Sequence, residues 1–264
     1  MTTTADQVID ALRSGHDDLA PLTAALRLDQ LEGPSAASEW TVAQVLSHLG
    51  SGAVISAATL EAALAGRPNP GGEANQAVWA RWNAMGAQQQ ADEFVAANAA
   101  LLARYDAIDA DTRRRLTVDM GFLPAPVDLA TATRFRLNEF ALHSWDVRVA
   151  FEPDATVRPE AVPLLLDHAA TMLGWMAKPA ALQGRSVHLR VDLSDPRTAF
   201  GLTLTESGCG IGEVPAAPDG VLTLPAEAWL RLVHGRLSAE HTPTEAATSG
   251  DITLDTLRQV FPGY

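Results

Sequence analysis

The chain has 264 residues, 47% of them hydrophobic and 19% charged, with a formal net charge of −13. That is the composition of a folded protein with one large domain or two ordinary ones, and its acidity repels phosphate backbones, which argues against nucleic acid as a partner. Cys209 is the only cysteine, so neither an intramolecular disulfide nor a thiolate metal cluster can form.

Met1-Thr-Thr-Thr-Ala-Asp-Gln7 is polar and lacks the basic-then-apolar order of a signal peptide. No stretch reaches the run of roughly 18 apolar residues that spans a bilayer, so the expectation is a cytoplasmic protein with no membrane partner. Apolar residues from Val8 to Leu31 fit one helical face over Asp6–Leu31, and Gly33-Pro34-Ser35 breaks it. Thr41-Val-Ala-Gln44 has the form of a capping box and starts a second helix that runs to Ala65, before Gly66-Arg-Pro68. Asn69–Gly72 reads as a loop. A third helix covers Glu73–Ile108, interrupted by Gly86, and 111–126 is irregular around Arg113, Arg114 and Arg115. A fourth helix follows from Asp128 to Phe151. Helices of this length with loop signals between them pack naturally as a four-helix bundle.

Pro153 and Pro159 flank a linker, and a fifth helix over Glu160–Lys178 joins the two halves. Ser186–Leu193 and Ala199–Thr205 then alternate with period two, with Asp195-Pro196 as the turn between them. Val221–Leu224 is a third short strand; Pro225–Val233 and Asp251–Val260 are short helices. Trp175 and Trp229 read as packing residues, and His234 and Arg236 as surface or interdomain residues. The expected fold class is α+β, mainly α: a bundle over residues 1–155 and a smaller α/β domain over 156–264.

The fourth helix carries Glu139-Phe-Ala-Leu-His143. Residues four apart differ by about 40° around a helix axis, so both side chains leave one face. Such a pair is either a solvated couple or two ligands of one ion. The apolar neighbours Phe140, Leu142, Trp145 and Val147 indicate a buried helix, where an ionised Glu needs a partner or a metal. His48, on an equally apolar stretch of the second helix, completes two imidazoles and a carboxylate. That set leaves a fourth position open, as catalytic zinc sites do, although nickel, cobalt or iron suit the same donors.

Ser38-Glu-Trp-Thr-Val-Ala-Gln-Val-Leu-Ser-His48-Leu, followed by Arg136-Leu-Asn-Glu139-Phe-Ala-Leu-His143-Ser-Trp-Asp146-Val, resembles the mycothiol-dependent maleylpyruvate isomerase family. That family belongs to the DinB-like superfamily of metal-binding four-helix bundles. Leu230-Arg-Leu-Val-His-Gly-Arg236-Leu and Phe261-Pro-Gly263 are similar to its C-terminal domain, so the resemblance covers nearly the whole chain. It implies His48, Glu139 and His143 as the three metal ligands, zinc as the divalent ion, and mycothiol, a low-molecular-weight thiol of actinobacteria, as cosubstrate. It also implies an isomerase, or an S-transferase, in which the metal-activated thiolate adds to a small-molecule electrophile.

Helix geometry nominates further residues. Arg136, two turns before His143, is a candidate clamp for a substrate carboxylate or else a structural salt bridge. Asp146 is a candidate to orient a ligand imidazole. Arg81, in Trp79-Ala-Arg-Trp82, is a second candidate anion clamp, and Gln44, one turn before His48, a candidate cofactor-binding residue of the pocket wall. Two other readings stay open: a metal-assisted hydrolase with a metal-bound water, for which Asp146 is the one acid at hand, and a non-catalytic metal- or ligand-binding module. The protein is expected to be a monomer or a homodimer.

Overall fold

The structure, a computed structural model, describes residues 4–263. The polar amino-terminal stretch thus falls partly outside the described residues. No helix of the structure is long and apolar enough to cross a membrane among the described residues. The chain divides into two compact units, the first ending at Ala155 and the second beginning at Thr156.

Helix α1 (Ala5–Ala25) opens with a capping box in which Thr4 Oγ1 accepts from the Gln7 N–H and Gln7 Oε1 accepts from the Thr4 N–H. The single helix expected over Asp6–Leu31 is instead α1 followed by a one-turn α2 (Leu28–Leu31). Leu26 is extended, and Gln30 Oε1 accepts from the Arg27 N–H to start the new turn. Helix α3 (Val42–Leu64) begins at the Thr41–Gln44 capping box, as its sequence indicates, and stops before Gly66, whose φ is 61°.

The long helix expected from Glu73 to Ile108 is two, α4 (Gly71–Asn83) and α5 (Ala87–Asp106), with Gly86 extended as the cap of α5. Asn69 Oδ1 accepts from the Gly71 N–H at 2.8 Å, which shortens the expected loop and starts α4 within it. The arginine run lies in a short α6 (Ala110–Arg115), and β1 (Thr117–Val118) pairs antiparallel with β2 (Val127–Asp128). Helix α7 (Leu129–Arg148) is capped by Asp128, whose Oδ1 accepts from the Thr131 N–H at 2.7 Å.

The four long helices form the bundle: α1 and α3 each pack against both α5 and α7. Helix α7 is buried on nearly every side, with Leu137, Phe140, Leu142, Trp145 and Val147 in the core. A helix surrounded in this way ordinarily reads as apolar all round. This one also buries Arg136, Asn138, His143, Ser144 and Asp146. Close approach of α4 to α3 depends on Gly50, where a Cβ would overlap the Trp82 ring.

The second unit is an α/β layer. Its sheet runs β5-β4-β3-β6-β7, formed by β3 (Val187–Ser194), β4 (Thr198–Thr205), β5 (Gly208–Gly212), β6 (Gly220–Pro225) and β7 (Ala247–Gly250). Only β3 and β6 pair in parallel. Helix α8 (Val162–Met176) belongs to this unit and packs on β5 and on α9 (Ala226–Val233), rather than joining two halves. A last helix, α10 (Leu254–Val260), follows β7. Trp229 is buried between Phe200 and Phe261, whereas Trp175 is exposed, contrary to its reading as a packing residue. His234 is buried, not superficial: it closes α9 with Nδ1 2.8 Å from the Leu230 carbonyl oxygen, and the left-handed Gly235 packs against Gly263. The whole is an α+β fold, mainly α: a helical bundle followed by a smaller α/β unit.

His16, buried on α1, has its Nδ1 without a hydrogen-bond partner among the described residues. Desolvation holds its pKa below the ordinary histidine value, against the opposing pull of Asp17. Below about pH 6.5 the unfolded chain therefore binds a proton here more readily than the folded one, and stability falls as pH falls. We expect the urea midpoint to drop less between pH 7 and pH 5 in His16→Leu than in wild type. Equal drops would show that His16 contributes nothing to acid sensitivity.

Candidate metal centre

The bundle brings His48 from α3 together with Glu139 and His143 from α7. Their ligand atoms all lie within 4.8 Å of one another. His48 Nε2 is 3.0 Å from Glu139 Oε2, and His143 Nε2 is 3.8 Å from the same oxygen. Glu139 is less buried than its apolar neighbours suggest: its side chain is 36% exposed, that of His48 32%, and that of His143 9%. The carboxylate thus stands at the open side of the cluster and the His143 ring at its base.

His143 Nδ1 lies 2.8 Å from Asp146 Oδ2, and the Asp146 side chain is fully buried. A carboxylate oxygen accepts here, so a hydrogen on Nδ1 leaves the lone pair of a neutral ring on Nε2, the atom facing Glu139. The i,i+3 spacing on α7 makes this contact possible, and such a carboxylate partner is what commonly fixes the tautomer of a metal-ligating histidine.

A segment that sequence reasoning passed over completes the wall. Residues 34–41 close on themselves through a Pro34–Thr41 bridge, and the Ser35 N–H and Oγ both donate to the Trp40 carbonyl. Glu39 takes a left-handed φ of 68°, and the Ala36 N–H donates to the Asp146 carbonyl. The loop thereby stacks Trp40 on His143 (centroids 5.9 Å apart, planes at 21°) and sets it 5.3 Å from the His48 ring. Trp40 was legible only as a letter of the Trp-Thr-Val motif.

Beside His48 opens a cavity of about 390 Å³, lined by Trp40, Gln44, Ser47, Ser51, Trp79, Asn83 and Gln90. Gln44 is in this wall, and its Oε1 is held by the Thr41 N–H at 2.8 Å. Trp79 and Asn83 are four apart on α4, a spacing that puts both on one face. Arg81, between them, leaves the other way: it is exposed, 3.8 Å from Glu93, and does not line the cavity. Arg136 does not line it either. Its guanidinium is buried, with Nη2 donating to the Leu49 carbonyl and to Asn98 Oδ1, each at 2.7 Å. Burial lowers its pKa to about 10, which leaves it a cation at neutral pH.

Cys209 lies within β5 in the second unit, half-buried, with Sγ 3.2 Å from the Leu173 carbonyl oxygen. Burial pushes its thiol pKa up, so it is a poor source of thiolate.

The model of the mycothiol maleylpyruvate isomerase N-terminal domain family matches residues 12–148. The crystal structure of the mycothiol-dependent maleylpyruvate isomerase is similar to the chain with a TM-score of 0.67 at 16% identity, over 96% of this chain and 98% of that one. The crystal structure of a histidine-to-alanine variant of such an isomerase gives a TM-score of 0.67 at 15% identity, over the same shares. At these identities the likeness shows a common fold. A comparison with curated proteins gave no match. With its family match spanning the helices that carry all three candidate ligands, the chain belongs to the mycothiol maleylpyruvate isomerase family, a family of enzymes.

Proposed function

We propose that the protein is a metal-dependent enzyme that uses a small thiol, mycothiol, to isomerise or conjugate a small electrophile in the cytoplasm. The observation that carries this reading is the convergence of His48, Glu139 and His143 within 4.8 Å, in a bundle whose family takes its name from a mycothiol enzyme. Two imidazoles and one carboxylate suit a divalent ion, zinc first among them, and the Asp146 bond presents His143 Nε2 as a donor. Bound there, the ion supplies the Lewis acidity that favours the thiolate form of a coordinated thiol.

The chain's own residues do the rest. His48, Glu139 and His143 hold the ion, and Asp146 keeps the His143 ring from turning. Trp40 covers one side of the two rings and limits water there. Gln44, with its oxygen engaged by Thr41, offers its amide N–H groups to a ligand in the cavity, and Trp40 and Trp79 offer flat apolar faces. The thiol comes from outside, since Cys209 is held as a protonated, half-buried group.

The hydrolytic reading needs a general base near the reacting water. Asp146, the acid nominated for it, is buried and bonded to His143, which weighs against that reading. A structural zinc site closes with four protein ligands, and the cluster gathers three among the described residues.

Elemental analysis of purified protein should find one divalent ion per chain, and Glu139→Ala or His143→Ala should lose it while keeping the helical circular-dichroism spectrum. Turnover of a maleylpyruvate-type electrophile should require both the ion and mycothiol. Full metal content in both variants, or turnover without thiol, would overturn the reading. Asp146→Asn removes the charge that orients His143, and its zinc affinity should fall by about 10–100-fold. An unchanged affinity would leave Asp146 with a role in helix packing alone.

A further inference from the structure

Arg136 stands one turn before Glu139 on α7, and its Nη2 donates to the carbonyl of Leu49, the residue next to His48 on α3. The same nitrogen donates to Asn98 Oδ1 on α5, and the Asn98 amide is held in turn by its Nδ2 donating to the Phe94 carbonyl at 2.9 Å. One guanidinium therefore ties three helices of the bundle at the level of the ion site. It fits because Gly52 has no side chain: a Cβ there would lie 2.7 Å from Arg136 Nη1. The Phe140 ring lies under the cation, 5.8 Å from Cζ to centroid.

A substrate clamp would face the 390 Å³ cavity beside His48. Arg136 instead lines a separate space of about 10 Å³ with Leu12, His16 and Asn98. Bulk packing does not explain a buried charge either, since an apolar side chain of similar volume often packs a core as well or better. What a fixed, directional donor adds is register: it selects one height of α3 against α7, as buried polar groups do in helical bundles. That height decides how far His48 stands from Glu139.

We propose that Arg136 is a positioning residue, which sets the axial register of α3 against α7 and through it the spacing of His48 from Glu139 and His143. The inference rests on the ion site proposed above, and its test separates the two. Zinc affinity, by competition with a chromophoric chelator, and the visible spectrum of the cobalt-loaded protein would be measured for wild type, Arg136→Met, Arg136→Lys and Gly52→Ala. Leu19→Ala, a core truncation on α1, serves as a stability control.

Arg136→Met should lose about 10–100-fold in zinc affinity and show altered cobalt bands. Arg136→Lys, with a single ammonium in place of the fork, should recover part of the loss. Gly52→Ala keeps the charge but displaces the guanidinium, and should change affinity and spectrum in the same direction even if Arg136→Met does not fold. Leu19→Ala should lose thermal stability and keep wild-type affinity. Wild-type affinity and spectrum in Arg136→Met or Gly52→Ala would overturn the positioning role, as would an equal loss in Leu19→Ala at matched thermal stability. Failure of the wild-type protein itself to bind an ion would instead overturn the metal reading, and this inference with it.

Discussion

Burial of a polar row on α7 constrains the rest of the first unit. An unsatisfied polar group in a protein interior costs about 1–3 kcal/mol, and a charged one more, yet Arg136, Asn138, His143, Ser144 and Asp146 are all buried there. Ser144 and His143 find their partners within α7 itself, and Arg136 finds its partners across the bundle. Ser144 donates to the Phe140 carbonyl, His143 to Asp146, and Arg136 to Leu49 and Asn98. The Arg136 bonds tie α7 to α3 and α5, and the Ala36 N–H, donating to the Asp146 carbonyl, ties the 34–41 loop to α7. His48, Glu139 and His143 meet within that arrangement.

Much of this was legible in the sequence because its signals are local. The Thr41–Gln44 capping box announces where α3 begins, and Glu139 and His143 share a face by spacing alone. His48 joins them only across the bundle; its apolar helix suggested the link and the family motif strengthened it. What the sequence could not show is set by distant partners. Strand β5 is Gly208-Cys-Gly-Ile-Gly212, with no alternating pattern, and β7 is Ala247-Thr-Ser-Gly250; both are strands because β4 and β6 offer edges to them. The direction of Arg136 could be read from the helix angle, but not that a backbone carbonyl and an asparagine wait there. Trp40 owes its place to a loop with a left-handed Glu39, a conformation that no local pattern announces.

The cluster and the cavity beside it draw on different parts of the first unit. The three candidate donors and the Asp146 bond come from α3 and α7 alone. The wall of the cavity is drawn more widely, from α3, α4, α5 and the 34–41 loop: Gln44, Ser47, Ser51, Trp79, Asn83, Gln90 and Trp40.

Titration of the cobalt-loaded protein with mycothiol tests the central claim most directly. A sulfur-to-cobalt charge-transfer band that grows to one equivalent, and is absent in His143→Ala, is the result predicted for an ion that takes up an external thiol. A loaded protein whose spectrum does not change on addition of thiol would contradict it.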